Sequence, residues 1–327
     1  MSDTQNTTVE TPGGASFSYL AAPLLSALLF LSIFFLPVVG WFMNLFAPLP
    51  MIYYLFTHGR RAAHIALLAA SAAIGAAFGF EMGLYYLSCY GLLALVMGEM
   101  INRNSTMETT VAFAALAAFM FSVLLFFFIS HVQVGDIYAK IHGEAVILIN
   151  QSIKAYKQAG VGSEQIEIIK KNIPWIAKWI VLLMPGAIIT TFISLSAGNY
   201  IGYKYLKTRL PYLPPPDPKP ALFWSPPDKT VFAAIIGGAM SLLPATSIRA
   251  LGLNILFVTA TLYTFSGFCI LQHFFIRSRL PFFVRWTGYI LLLLQPFLIL
   301  IVILLGLFDL WFDFRKIRGQ KADKKEE

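Results

Sequence analysis

Between residues 20 and 308 the chain is almost a continuous series of apolar segments. They lie at 20–39, 41–56, 62–80, 83–101, 109–130, 174–200, 231–246, 250–275 and 286–308. Most reach the about 17–25 residues that cross ~30 Å of hydrocarbon. In lipid no water satisfies the backbone N–H and C=O groups, so a run of that length must be helical. Only 12% of the residues are charged, against about 25% in an ordinary soluble domain. A soluble enzyme, a disordered chain and a nucleic-acid-binding domain are excluded. The expected fold class is an all-α integral membrane protein. Its first partner is the lipid bilayer.

Three segments decide the number of crossings. In 41–56, Pro48 and Pro50 remove donors and break or kink a helix; a broken or re-entrant element lining a cavity is expected. The run 231–246 is short and holds Gly237-Gly238. In the last segment Gln295-Pro296 predicts a kink. Nine crossings with the N-terminus inside leave the basic C-terminal tail outside. If 231–246 does not cross, eight remain, and 15 Lys and Arg lie inside against 8 outside. The positive-inside rule favours this second arrangement. The expectation is a bundle of eight transmembrane helices, with nine as the alternative.

The formal net charge of +8 comes mostly from loops and the C-terminus, so topology explains it better than an anionic partner. No Lys or Arg precedes Arg60, so a cleavable signal peptide is not expected, and the first apolar run reads as a retained span. Cys89 and Cys269 lie inside apolar stretches and read as small buried hydrophobes.

Residues 1–18 are polar and expected to be a disordered tail. A membrane domain follows at 19–312, and a charged tail at 313–327. The front bundle, 20–200, carries a long polar interval at 131–173. There Ile137, Ile141, Leu148, Ile149 and Ile153 recur at helical spacing, Gly160-Val-Gly162 interrupts, and Ser163 has the character of an N-cap. This predicts an amphipathic helical hairpin outside the bilayer. A proline-rich connector spans 203–229, stiff and extended. Back helices occupy 230–312.

Candidate residues are few. Asn44, Pro48, Pro50 and Asn254 are the ligand-binding candidates, because interrupted helices and buried amides line sites near the membrane midplane. Asn199 is a second deeply placed amide, for which helix–helix bonding is the commoner role. In 62–79, Ala69, Ala73 and Ala77 form one row of small residues, and Ser71, Gly75 and Gly79 another. Such rows allow close packing, on another span or on a partner. Asp309 and Asp313 stand four apart with Arg315 following. They form a charged cluster, either a cation or proton site or an interfacial cap anchored by Trp311. No catalytic motif and no metal-ligand spacing is present, so no catalytic residue, cofactor or metal is expected.

Several short motifs occur in order: Pro48-Leu-Pro50 with His58-Gly59-Arg60, then Phe223-Trp224-Ser-Pro-Pro, then Leu253-Asn254-Ile-Leu, then Gly306-Leu-Phe-Asp309-x3-Asp313-Phe-Arg315. In these the chain resembles the YybS-like family of bacterial polytopic membrane proteins, a domain of unknown function. The resemblance runs from about 20 to 316 and implies the bacterial cytoplasmic (inner) membrane. The front half is also similar to the substrate-capture subunits of energy-coupling-factor transporters, whose alanine-rich surfaces the Ala69 row would match. The leading expectation is a small-molecule transport or substrate-binding component. The uncharged, aromatic interior suits an apolar or heterocyclic ligand. There is no nucleotide-binding motif, so ATP-driven transport requires an ATPase supplied in trans by a membrane partner. The alternative is a non-enzymatic scaffold or assembly factor for envelope complexes, contacted through hairpin, connector and tail.

Overall fold

A computed structural model describes residues 15–36, 39–130 and 136–316. Most of the 1–18 tail and of the 313–327 tail lies outside the described residues. Among these residues every regular element is helical. They fall into two compact units, one drawn from Met1–Ile129 and Leu195–Asp217, the other from Ser130–Ser194 and Pro218–Glu327.

The first unit opens with α1 (Ala15–Phe35), α2 (Val39–Leu45) and α3 (Leu49–Phe78). Pro48 and Pro50 stand at the start of α3, where a missing N–H costs least. The expected break therefore falls between α2 and α3. Its carbonyls still need donors in lipid, and neighbouring side chains supply them. Ser26 Oγ donates to Ala47 O at 2.6 Å, and Asn199 Nδ2 donates to Leu45 O at 2.8 Å. Helix α3 bends at Gly59 (φ 84°). It ends at Gly79, whose φ of 104° is open to glycine and strained for other residues. That turn folds α4 (Phe80–Tyr86) back onto α3, where Ser71 Oγ donates to Gly83 O at 2.7 Å. A π turn, Leu87–Gly91, leads into α5 (Leu92–Asn102), and α6 (Met107–Ser130) follows.

The second unit holds α7 (Ile137–Gln158) and α8 (Ser163–Lys171), the two helices expected at 131–173. Gly162 rather than Ser163 occupies the N-cap of α8, and no side chain caps it. Helix α9 (Ile173–Arg209) gives its first part to this unit and its end to the other. After the connector come a 3-10 turn at Ala221–Phe223, α10 (Thr230–Ser241), α11 (Thr246–Arg277), α12 (Phe282–Leu294) and α13 (Pro296–Phe312).

Among the described residues five helical stretches are long and apolar enough to cross a membrane, or six if the bent pair α12–α13 counts as one. This count does not confirm the expected eight or nine. The segments 41–56 and 62–80 belong to one stretch, Val39–Phe78. The apolar part of α1, Tyr19–Phe35, and α10 are shorter apolar helices. The Gln295-Pro296 kink is a bend of 107° between Phe282–Leu292 and Phe297–Phe312.

Candidate functional site

The proline breaks define where polar side chains are needed. Pro185 lies inside α9. Opposite it, Asn254 of α11 donates Nδ2 to Leu182 O at 2.7 Å and accepts from Gly186 N at 2.6 Å. Residues 182 and 186 are the acceptor and donor that a regular helix pairs directly, so the amide bridges a weakened turn. In the first unit Asn44 Nδ2 donates to Phe30 O at 2.8 Å, and Tyr90 Oη donates to Asn44 Oδ1 at 2.5 Å. Asn44 and Asn254 thus belong to different units. Both ends of each amide bond to protein groups.

A second polar construction sits at the end of α13. Asp313 takes a left-handed conformation (φ 41°) and stops the helix. The turn carries Arg315 back, and its side chain is wholly buried. Its Nη2 lies 2.6 Å from Asp309 Oδ2, and Asp309 Oδ1 accepts from Phe314 N at 2.9 Å. Nη1 donates to Leu222 O at 2.9 Å and to Trp224 O at 2.8 Å. Proline brings no N–H, and the connector is rich in it, so its carbonyls lack backbone donors and the guanidinium supplies them. Cys269 Sγ donates to Ala221 O at 3.3 Å, beside the same segment.

Beyond this clasp, Ser225 and Asp228 of the connector face Tyr263 and Ser266 of α11, Asp309 of α13 and Asp313 at its end. Together they line a cleft of about 330 Å³. Gly267 and Gly306 let α11 and α13 approach that closely. A methyl group on either would collide with the carbonyl of Val302 or of Tyr263. The cleft lining carries three carboxylates and no Lys or Arg. Among the described residues, Arg315 beside the cleft is committed to Asp309. Among the described residues no group of three His, Cys, Asp or Glu is arranged to hold a metal ion. The lining groups are carboxylates and hydroxyls, with Asp309 already paired to Arg315.

A family model described as a predicted membrane protein, DUF2232, matches residues 24–310. The chain belongs to the DUF2232 family. Neither a curated protein nor a solved structure matches it. The DUF2232 match ends just short of the Asp313 turn, and it covers Asp228, Tyr263, Ser266 and Asp309. DUF2232 is described as a membrane domain and its description names no activity.

Within this DUF2232 protein, Asp309 and Arg315 form a buried pair, and Asp313 joins Asp309 at the cleft. Pro48 and Pro50 start α3 in the other unit. The row Ser71 and Gly75 packs inward against α4, whereas Ala69, Ala73 and Ala77 line an open apolar groove between α1 and α3. Sequence reasoning did not reach Asp228, Tyr263 or Ser266. The available signal was the Phe223-Trp224-Ser-Pro-Pro element, which ends one residue before Asp228. Nothing in its spacing ties it to residue 309.

Proposed function

We propose that this membrane protein is the small-molecule-binding component of a transport system, and that its ligand is a small organic cation. One observation carries the reading: the acidic cleft where Asp228, Asp309 and Asp313 converge with Tyr263 and Ser266. Its size supports a compact ligand. A dry cavity of ~150 Å³ takes the six carbons of benzene, about 25 Å³ per heavy atom, so the cleft admits roughly 13 such atoms. The broken pair α12–α13 is a further support, because discontinuous helices recur around transporter sites. The acids favour an amine-bearing ligand over the apolar or heterocyclic one suggested by the uncharged, aromatic interior. On this reading the protein works in the bacterial cytoplasmic membrane and draws its energy from a partner, such as an ATPase in trans.

The test is a thermal-shift screen of small primary amines and amidines on protein in nanodiscs, followed by calorimetry on any that stabilise it. Asp228→Asn and Asp313→Asn should each weaken binding at least tenfold, with gel filtration showing that both variants fold. A full panel without a stabilising amine, or unchanged affinity in both variants, would refute the assignment.

The scaffold reading has its own support in the exposed apolar residues Ile147, Leu148 and Ile168 on α7 and α8. It requires that replacing these three by Ser abolish cellular function while amine binding persists.

A further inference from the structure

A large apolar concavity in the described first unit is the groove between α1 and α3, about 750 Å³. Leu24, Leu28 and Leu31 form one wall, and Ala69, Ala73 and Ala77 the floor. Apart from the hydroxyls of Tyr19 and Tyr54, no lining side chain is polar. Small residues on the other row of α3 show what this helix does when a helix partner is present: Ser71 and Gly75 meet α4 at backbone distance, and a Cβ added to Gly83 would lie 3.0 Å from Gly75 Cα. The alanine row has no such neighbour and stays open.

The two tyrosines mark one mouth of the groove. Both rings contact His58, with centroids 4.5 Å from Tyr19 and 4.3 Å from Tyr54. Just past the bend at Gly59, Arg61 stands one helical turn before Ile65, a lining residue. Its neighbour Arg60 is held by Glu99 at 2.7 Å. Among the described residues Arg61 has no ion-pair or hydrogen-bond partner, and it is exposed. The groove is therefore amphipathic along its length, hydrocarbon below and an uncommitted cation with two phenols at the mouth.

From Ala62 to Phe78 the groove follows α3 for about 24 Å at 1.5 Å per residue. At about 25 Å³ per carbon the groove takes about 30 carbons, the content of two acyl chains. We propose that the α1–α3 groove is a binding site for one anionic phospholipid, its acyl chains on the Ala69, Ala73, Ala77 floor and its phosphate at Arg61 and Tyr19.

The experiment is native mass spectrometry of the whole chain purified in mild detergent, with the retained lipid identified by extraction. The membranes should contain phosphatidylethanolamine and phosphatidylglycerol. Wild-type protein should retain one phospholipid per chain, enriched in phosphatidylglycerol. Arg61→Gln should lower that enrichment about fivefold, the worth of one basic residue at a membrane surface. Ala73→Phe, at an exposed position, should abolish retention while gel filtration and helical content stay unchanged. Three results would overturn the proposal: no retained lipid in the wild type, retention indifferent to both variants, or efficient cross-linking of Ala69→Cys in membranes to a second copy or another protein.

Discussion

Arg315→Met isolates the contribution of the clasp at the end of α13. In the wild type the guanidinium is fully buried, and its partner Asp309 is 7% exposed. Methionine keeps most of the volume but removes the charge and the donors. Asp309 is then a buried, unpaired carboxylate, and the carbonyls of Leu222 and Trp224 lose their donor. Breaking a buried pair in this way costs about 3–5 kcal/mol. The loss should be felt first in the connector, because Arg315 is what fastens it. Cys269 reports on that segment through its bond to Ala221 O. In a Cys89→Ser background, thiol labelling of Cys269 under native conditions follows the opening equilibrium. A cost of 3 kcal/mol predicts labelling about a hundredfold faster. The double variant Asp309→Leu, Arg315→Met removes both charges and should recover most of the loss, as apolar replacement of buried pairs does. The reasoning fails if Arg315→Met labels within about fivefold of the reference, or if the double variant labels as fast as the single one.

Asn254→Leu should lower resistance to detergent unfolding by about 1–2 kcal/mol, near the upper range for interhelical hydrogen bonds in membranes, and Pro185→Ala should restore part of it by repairing the α9 ladder. Gly306→Val should destabilise by about 1–3 kcal/mol through collision with the Tyr263 carbonyl, whereas Ala73→Leu, on an open groove, should leave the melting temperature nearly unchanged. Hydrogen bonding with Tyr53 pushes the Tyr212 phenol up to about 12. The fold thus favours the neutral phenol, so this contribution is complete below about pH 10 and is lost as pH rises towards 12. Phenolate absorbance should show Tyr53→Phe returning Tyr212 towards its ordinary titration range.

The features legible in the sequence were those set by local chemistry. Apolar length made the chain a membrane protein, and DUF2232 membership agrees. Pro48 and Gln295-Pro296 marked real interruptions, because a missing N–H acts wherever the helix goes. The period-3.6 pattern over 137–153 likewise lies on one helix. What failed to show was whatever depends on which segment lies opposite. The crossing count was not legible, because Gly59 bends a helical stretch without ending it and α10 is short. Asn44 and Asn254 are conspicuous in a sequence as polar residues in apolar surroundings, yet their bonding partners (Phe30, Tyr90, Leu182, Gly186) become visible only once helices are packed. The acidic cleft joins residues 228, 263 and 309, and only tertiary structure brings such distant positions together.

The clasp also imposes an order on how the protein is made. Leu222 and Trp224 are separated from Arg315 by 93 and 91 residues. At about 5–20 residues per second, the ribosome takes roughly 5–20 s to travel between them. Throughout that interval the connector has been synthesised but its donor has not, so α10, α11 and α12 are made while those carbonyls still seek water or another partner. Quality control that senses an unfastened connector would therefore act on nascent chains, and on any chain cut short before residue 315.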